Sequence, residues 1–345
     1  MLRISDAAVL SLVAGGAMSV PALAQTADLS YKWREGVTLS YEFKAEMSQD
    51  TESPGGTASV EISTTTVQTM KVANVTRGDG EIEVTTDSVA MESTMRPGGR
   101  TTYDSTNPRD RRKATEPGVA PFVYLVGKAY TMTLNEAGEV ANLEDYDRHL
   151  RSLLQGMSDP NVQAALSMTM TESAFESQLE QVWHVLPGEE VEVGEMWTTR
   201  MTQAMPGMGE IIVEMEFTFK EVDTMEGLDV AVIEVEGTAR MGRGGMPGVR
   251  IDITESQITG TVYFAWDLGL IVESEMNQDL MIEMSQGGQS MSQTVSSSVM
   301  MELVDVQGLD LGGDEPVEEP SAEEPAPEPT VPPATPPGGG SSRKP

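Results

Sequence analysis

Leu39-Ser40-Tyr41-Glu42-Phe43-Lys44-Ala45-Glu46-Met47-Ser48 is the stretch that decides the fold. Apolar side chains occupy one set of alternate positions, and polar or charged ones occupy the other. Successive side chains of an extended chain point to opposite faces, so this run predicts a strand with one side in an apolar interior and the other in water. The pattern returns at Val213, Met215, Phe217 and Phe219 against Glu214, Glu216, Thr218 and Lys220. It returns again at Ile233, Val235, Gly237, Ala239 and Met241 against Glu234, Glu236, Thr238 and Arg240. One-sided alternation of this kind belongs to antiparallel sheets. Turn signals separate the runs: Gly78-Asp79-Gly80, Asn135 to Gly138, Glu226-Gly227 and Asp267-Leu268-Gly269. Each provides a residue able to take positive φ. Strands of about ten residues or more are longer than usual and predict a strongly twisted or curled sheet.

One region follows a different period. Leu143, Tyr146, Leu150, Leu153, Leu154 and Met157 fall at helical spacing, and Ser158-Asp159-Pro160 opens a second helix carrying Val162, Ala165 and Leu166. Thr171, Phe175, Leu179, Val182 and Trp183 suggest a third, stopped by Pro187-Gly188. Helices are thus expected near 143–156, 159–170 and 172–184, inserted between β-rich segments 31–142 and 188–306. Gly127-Lys128-Ala129-Tyr130 before Gly138, and Gly260-Thr261-Val262-Tyr263 before Gly269, suggest that these segments are two related halves. The expected fold is a β-dominated α+β domain over 25–311. It is a long curled antiparallel sheet, a half-barrel or open barrel, with inserted helices.

The ends read differently. Arg3, the apolar run Ala7 to Val20 and the small-x-small Ala22-Leu23-Ala24 form the pattern of a cleavable secretory signal over 1–24, which places the protein in the periplasm or outside the cell. Residues 312–345 interleave Pro316, Pro320, Pro325 and Pro327 with glutamates, a composition that cannot build a core and predicts a disordered, self-repelling tail. No segment has the roughly 20 consecutive apolar residues of a membrane-spanning helix. The formal charge is −33, with 22 Lys+Arg against 55 Asp+Glu, a balance that repels nucleic acid and anionic membrane surfaces. Arg109, Arg111, Arg112 and Lys113 form a short basic run, read as a solvated loop. With no cysteine, disulfides, thiolate catalysis and a lipidated N-terminal Cys are excluded.

Catalytic constellations are not evident. His149 and His184 stand apart, with no second ligand at metal-binding spacing. Asp145-x-Asp147 lacks the glycine and the ordered oxygens of a calcium loop. Gly242 to Gly248 is Gly-rich but lacks the Lys-Ser/Thr of a phosphate loop and reads as a hairpin connection. No catalytic residue, metal ligand or cofactor is expected. The 24 methionines fall mostly at apolar positions, where their flexible side chains suit either an irregular core or an adaptable hydrophobic cavity. Trp33, Trp183, Trp197 and Trp266 read as core anchors. The residues expected to line such a cavity, or a lid over it, are Phe43, Met132, Leu150, Leu154, Leu166, Met170, Phe175, Met215, Phe217 and Trp266.

The opening Tyr31-Lys32-Trp33-Arg34-Glu35-Gly36, Tyr103-Asp104-Ser105, Gly127 to Gly138, and Leu186-Pro187 followed by Val193-Gly194 and Trp197 resemble an uncharacterised family of exported bacterial proteins known only as a domain of unknown function. Long strands around a helical insert also look like the half-barrels of periplasmic lipoprotein carriers and mycobacterial lipid-binding lipoproteins, although this chain lacks the lipidation Cys of the lipoprotein members. The resemblance implies a non-enzymatic binder of a hydrophobic small molecule or lipid. Two alternatives stand beside it: an envelope-associated structural or protein-interaction module, and a hydrolase.

Overall fold

The computed structural model describes residues 25–115, 119, 125–155, 163, 167, 171–205, 209–243 and 248–309. The expected signal at 1–24, the tail at 312–345 and most of the expected second helix lie outside the described residues.

The alternating runs become strands β2 (Thr38–Ser53), β3 (Gly56–Thr76), β4 (Asp79–Arg96), β5 (Arg100–Asp104), β6 (Ala129–Leu134) and β7 (Val140–Glu144) on one side of the helical region. On the other side are β9 (Met196–Met205), β10 (Gly209–Met225), β11 (Leu228–Met241), β12 (Val249–Ala265), β13 (Leu270–Gln286) and β14 (Gln289–Gln307). They form one 12-stranded antiparallel sheet in the order β7-β6-β4-β3-β2-β14-β13-β12-β11-β10-β9, with β5 also on β4. The first and last long strands, β2 and β14, therefore meet at its middle, and a wing of consecutive hairpins runs outward on each side. A separate two-stranded sheet pairs β1 (Thr26–Leu29) with β8 (Glu189–Glu192).

Thr, Val and Ile suit these half-buried pleated strands. Tight connections keep the wings in register. At Arg77-Gly78 and Glu226-Gly227 both central residues have positive φ, the geometry whose twist matches that of the flanking strands. The first of these turns thus begins one residue before the Gly78-Asp79-Gly80 stretch marked by the sequence.

Helix α1 spans Tyr146–Gln155 and α2 spans Glu172–Trp183. The Thr171 hydroxyl caps α2 by accepting from the Ala174 N–H at 3.2 Å. Helical spacing at Leu143 misled: Leu143 ends up in β7, paired with Met132, and Asp145 at φ +63° breaks the chain before α1 begins. The basic run is likewise not a plain loop. Arg111, Arg112 and Lys113 lie in a 3₁₀ turn over Asp110–Thr115, where Lys113 donates to the Thr102 carbonyl at 2.5 Å and pairs with Asp110 at 3.1 Å.

α2 contacts β9 at one edge of the sheet and β7 at the other, and α1 contacts β6. An element that touches both edges of a long sheet requires that sheet to curl, and α2 spans the gap of an open barrel that does not close on itself. The core fills the inside of this curl. Tyr41, Phe217, Phe219 and Phe264 are fully buried. At one end, here the base, Trp183 sits against Tyr31 and Tyr41 at ring-centroid distances of 6.2 and 5.5 Å, and Tyr31 also meets Phe264 at 5.8 Å. The Tyr31 hydroxyl donates to the Trp183 carbonyl at 2.8 Å, and the Tyr41 hydroxyl donates to the Ile271 carbonyl at 2.9 Å. Gly138, at φ +86°, lies so close to the Trp183 carbonyl and the Tyr31 ring that a Cβ there would overlap both. Of the four tryptophans, Trp33 and Trp183 are buried, while Trp197 and Trp266 are half-buried and pack on the same core.

Candidate functional site

Directly paired residues in a sheet share a face, so the register sorts the side chains into inner and outer sets. The row through Ala45 runs through Thr64 and Met91 in one wing, and through Val299, Met276, Gly260, Val235 and Phe217 in the other. One row further out, Met47 pairs with Ile62 and Ser297, and Ser297 with Gln278, which leads to Ile258, Gly237 and Met215. Beyond it lie Gln49, Val60 and Met95 on one side and Val295 and Leu280 on the other.

From the Phe43 row to the hairpins, every inner position on these strands is apolar, a glycine or an uncharged polar residue. The outer face is the reverse. Lys44, Glu46, Glu61, Glu92, Asp279, Glu283, Glu214, Glu236 and Arg240 all project outward. Several make exposed cross-strand pairs, such as Arg240 with Glu214 at 3.2 Å and Lys220 with Glu234. Hydrogen bonding and charge pairing with Glu42 hold the Lys44 ammonium above its usual range, and the hydrogen bond that Lys220 donates to Glu234 does the same for Lys220. A charged outside and an apolar inside is the opposite polarity to a membrane-spanning β-barrel, whose apolar band faces outward. Among the described residues no helix is long and apolar enough to cross a membrane.

The inner face is not uniform. On β10 to β12 it is buried along most of its length, through Phe217, Met215, Val213, Val235, Ile258 and Val262. On the outer parts of β2, β3, β13 and β14 the inner residues Ala45, Met47, Ile62, Met276, Leu280, Ile282, Val295 and Val299 are only half-buried. Uncharged polar residues stand among them: Thr64, Gln49, Gln278, Gln293 and Ser297. This half-buried strip is the candidate site.

The residues expected from sequence divide between core and margin. Met132, Met215 and Phe217 lie in the sealed core at no more than 1% exposure. Phe43, Leu150, Phe175 and Trp266 are half-buried and pack against that core, and Leu154 of α1 is half-buried as well. Phe175 stacks on Tyr146 at 4.7 Å and meets Tyr130 edge-on at 5.2 Å, which ties α2 to α1 and β6. Leu166 and Met170 lie outside the described residues. The expected set did not include Met47, Ile62, Met276, Leu280, Val295 or Val299. Alternation placed Met47 on the apolar side, but pairing β2 with β14 is a long-range event that local sequence does not signal.

The outer face carries shallow polar grooves. One of about 460 Å³ is lined by Glu46, Ser48, Glu61, Ser63, Glu92 and Asp279 among others, and one of about 670 Å³ includes Arg200, Glu214, Glu236 and Thr238. Among the described residues no group of three or more His, Asp and Glu side chains is placed to hold a metal ion. His184 caps α2 with its Nε2 3.7 Å from Glu139, and Asp145 pairs with Arg148 at 2.9 Å. On α2, burial and the neighbouring Glu172 and Glu180 hold the Glu176 carboxyl above its usual range.

A family model described as a family of unknown function (DUF6263) matches residues 77–264. No curated protein matches the chain. Among solved structures it is similar to one titled for lipid-protein interactions in lipovitellin, with a TM-score of 0.42 and 10% identity over 80% of this chain. The chain spans only 26% of that lipovitellin chain. It is also similar to DynF from the dynemicin biosynthesis pathway of Micromonospora chersina, with a TM-score of 0.21 and 10% identity over 81% of this chain and 86% of the other. A DUF1329 family protein from Desulfovibrio piger gives a TM-score of 0.12 and 7% identity over 78% and 87% of the two chains. Likenesses at these scores carry no argument about function.

Proposed function

The chain belongs to the DUF6263 family, a family of unknown function, and from its own geometry we propose that it is a non-enzymatic binder of a hydrophobic, acyl-chain ligand. The observation that carries this reading is the half-buried, charge-free strip around Met47, Ile62, Met276, Leu280, Val295 and Val299 on the inside of the curl. Apolar surface left partly in water is costly, at roughly 25 cal/mol per Å² of the area a ligand would cover. Methionine side chains adapt to chains of varied shape. The sealed base provides a floor, and α2 across the gap between the sheet edges, with α1 against β6, is the element able to flank a ligand.

Export is part of the same proposal, with residues 1–24 removed so that the mature protein starts at Gln25, followed by a β-rich domain and a solubilising tail from 312. N-terminal sequencing of protein recovered from the periplasm or medium checks this. A protein kept in the cytoplasm with Met1 intact overturns the export proposal.

Native mass spectrometry of the purified protein, combined with solvent extraction, tests the binding reading. The expected result is a co-purifying lipid mass that is lost in Val299→Glu, a variant that places a carboxylate on the strip while circular dichroism stays β-rich. Absence of bound lipid, together with failure to bind an uncharged fluorescent acyl alcohol, overturns it.

A further inference from the structure

Resting on the acyl-ligand reading, we propose that the ligand is an uncharged lipid, with acyl chains joined to a hydroxyl- or ester-bearing head of the acylglycerol kind. Among the described strand residues, the strip offers no partner for a charged head. From the Phe43 row to the hairpins, no inner position on any strand of the sheet holds Lys, Arg, Asp or Glu. A carboxylate or phosphate placed there would be desolvated without a counter-ion, and such burial is heavily penalised.

What the strip does provide is a compact set of neutral hydrogen-bonding groups. Gln278 pairs with Ser297, and Ser297 with Met47; Gln49 follows two residues along β2, and Gln293 pairs with Thr51 and Ile282. Neighbouring strands lie about 4.8 Å apart, and same-face residues about 7 Å apart along a strand. These groups therefore occupy a patch roughly 10–15 Å across, wide enough to hold a glycerol or sugar head. Carboxamides both donate and accept, as hydroxyls and ester carbonyls require. Ala45, Met276, Leu280 and Val299 border the patch on the same face and would take the chains.

The other side of the sheet disfavours anions as well. Glu46 and Asp279 follow Ala45 and Gln278 in sequence and project outward behind the patch, and both line the 460 Å³ groove together with Glu61 and Glu92. Ser296, next to Ser297, confirms the alternation by donating to Asp279 at 2.6 Å on that outer side. A negative layer directly behind the patch raises the cost of a negative head, and the formal chain charge of −33 adds long-range repulsion.

The test uses three ligands sharing one chain: monoolein, oleate at pH 8 and oleoyl-lysophosphatidylglycerol. Each displaces an uncharged fluorescent acyl alcohol from the purified full-length protein. Monoolein is expected to bind at least about tenfold tighter than either anion, a difference of about 1.4 kcal/mol. Gln49→Leu combined with Gln278→Leu should weaken monoolein about fivefold or more, the loss of one or two hydrogen bonds, while binding of the alcohol probe persists as evidence of an intact site. Ser297→Lys should reverse the preference by supplying the missing cation. Equal or tighter binding of oleate or the lysophospholipid by the unaltered protein overturns the uncharged-head proposal alone. Binding of none of the three, with no binding of the probe, overturns the acyl-ligand reading beneath it.

Discussion

At the base of the curl, Tyr41 and Phe264 are sealed beneath Trp183 and the N-terminal segment, and further out on β10 Phe217 is buried under the stacked ring of Trp197. Toward the hairpins, on the same face of the same sheet, Met47, Met276 and Leu280 are only partly buried. Both regions arise from the same alternating pattern, so the pattern does not distinguish them. Coverage does: aromatic side chains from the N-terminal segment and the end of α2 converge on the base. The polar residues follow this division. Inner polar positions at the base are few and tightly placed, such as Thr86, whereas the outer strip mixes Gln, Ser and Thr among its aliphatic side chains.

The contrast can be broken by substitution. Phe217→Ala should cost about 3–5 kcal/mol in urea unfolding, because the core cannot close around the lost ring. Met47→Ala should cost less, about 1–2 kcal/mol, because part of its side chain stays exposed in the folded state. Equal costs at the two sites would make the strip ordinary core and remove the basis for a ligand there. Second to Phe217→Ala is Tyr41→Phe, which deprives the buried Ile271 carbonyl of its donor and should cost about 1–2 kcal/mol; Gln49→Leu in the outer strip should cost less.

Alkaline titration sharpens the same boundary. Burial pushes Tyr31, Tyr41 and Tyr130 well above their usual value of about 10, with Tyr41 adding charge repulsion at Tyr31. Each binds its proton more tightly in the folded state. Their contribution is thus fully present below pH of about 10 and is lost as pH rises above it, where the unfolded chain ionises first. Absorbance at 295 nm should show these phenols ionising together with unfolding. Titration in smooth steps before unfolding would mean that the base admits water. The smallest effect belongs outside: Arg240→Ala, which breaks an exposed pair with Glu214, should change stability by no more than about 0.5 kcal/mol, less still in high salt.

Much of this architecture is readable from residues. The runs beginning at Leu39, Val213 and Ile233 present the expected side to the interior, and the turns at Asn135 to Gly138, Glu226-Gly227 and Asp267 to Gly269 lie where the glycines put them. Local sequence is less informative where the outcome depends on a distant neighbour. Leu143 fits a helical stripe, yet Met132 recruits it into a strand. Met47 and Phe217 are indistinguishable as alternating apolar residues, and only what packs over each decides that Phe217, under Trp197, is sealed and Met47 only partly buried. The uncharged polar strip was hidden for the same reason. Gln49, Gln278 and Ser297 belong to three separate stretches and become one patch only through the β2–β14 and β13–β14 pairings.

That central seam also governs how the molecule comes into being. Residues 38–53 bond along one flank with residues 56–71, which follow at once, but along the other with residues 292–307, nearly the last of the described chain. Until those arrive, the first long strand presents an open row of amide and carbonyl groups, a template for any stray strand nearby. Pairing so remote in sequence folds slowly. A nascent chain of this design would therefore need shelter from its own kind until its final strand zips the two wings together.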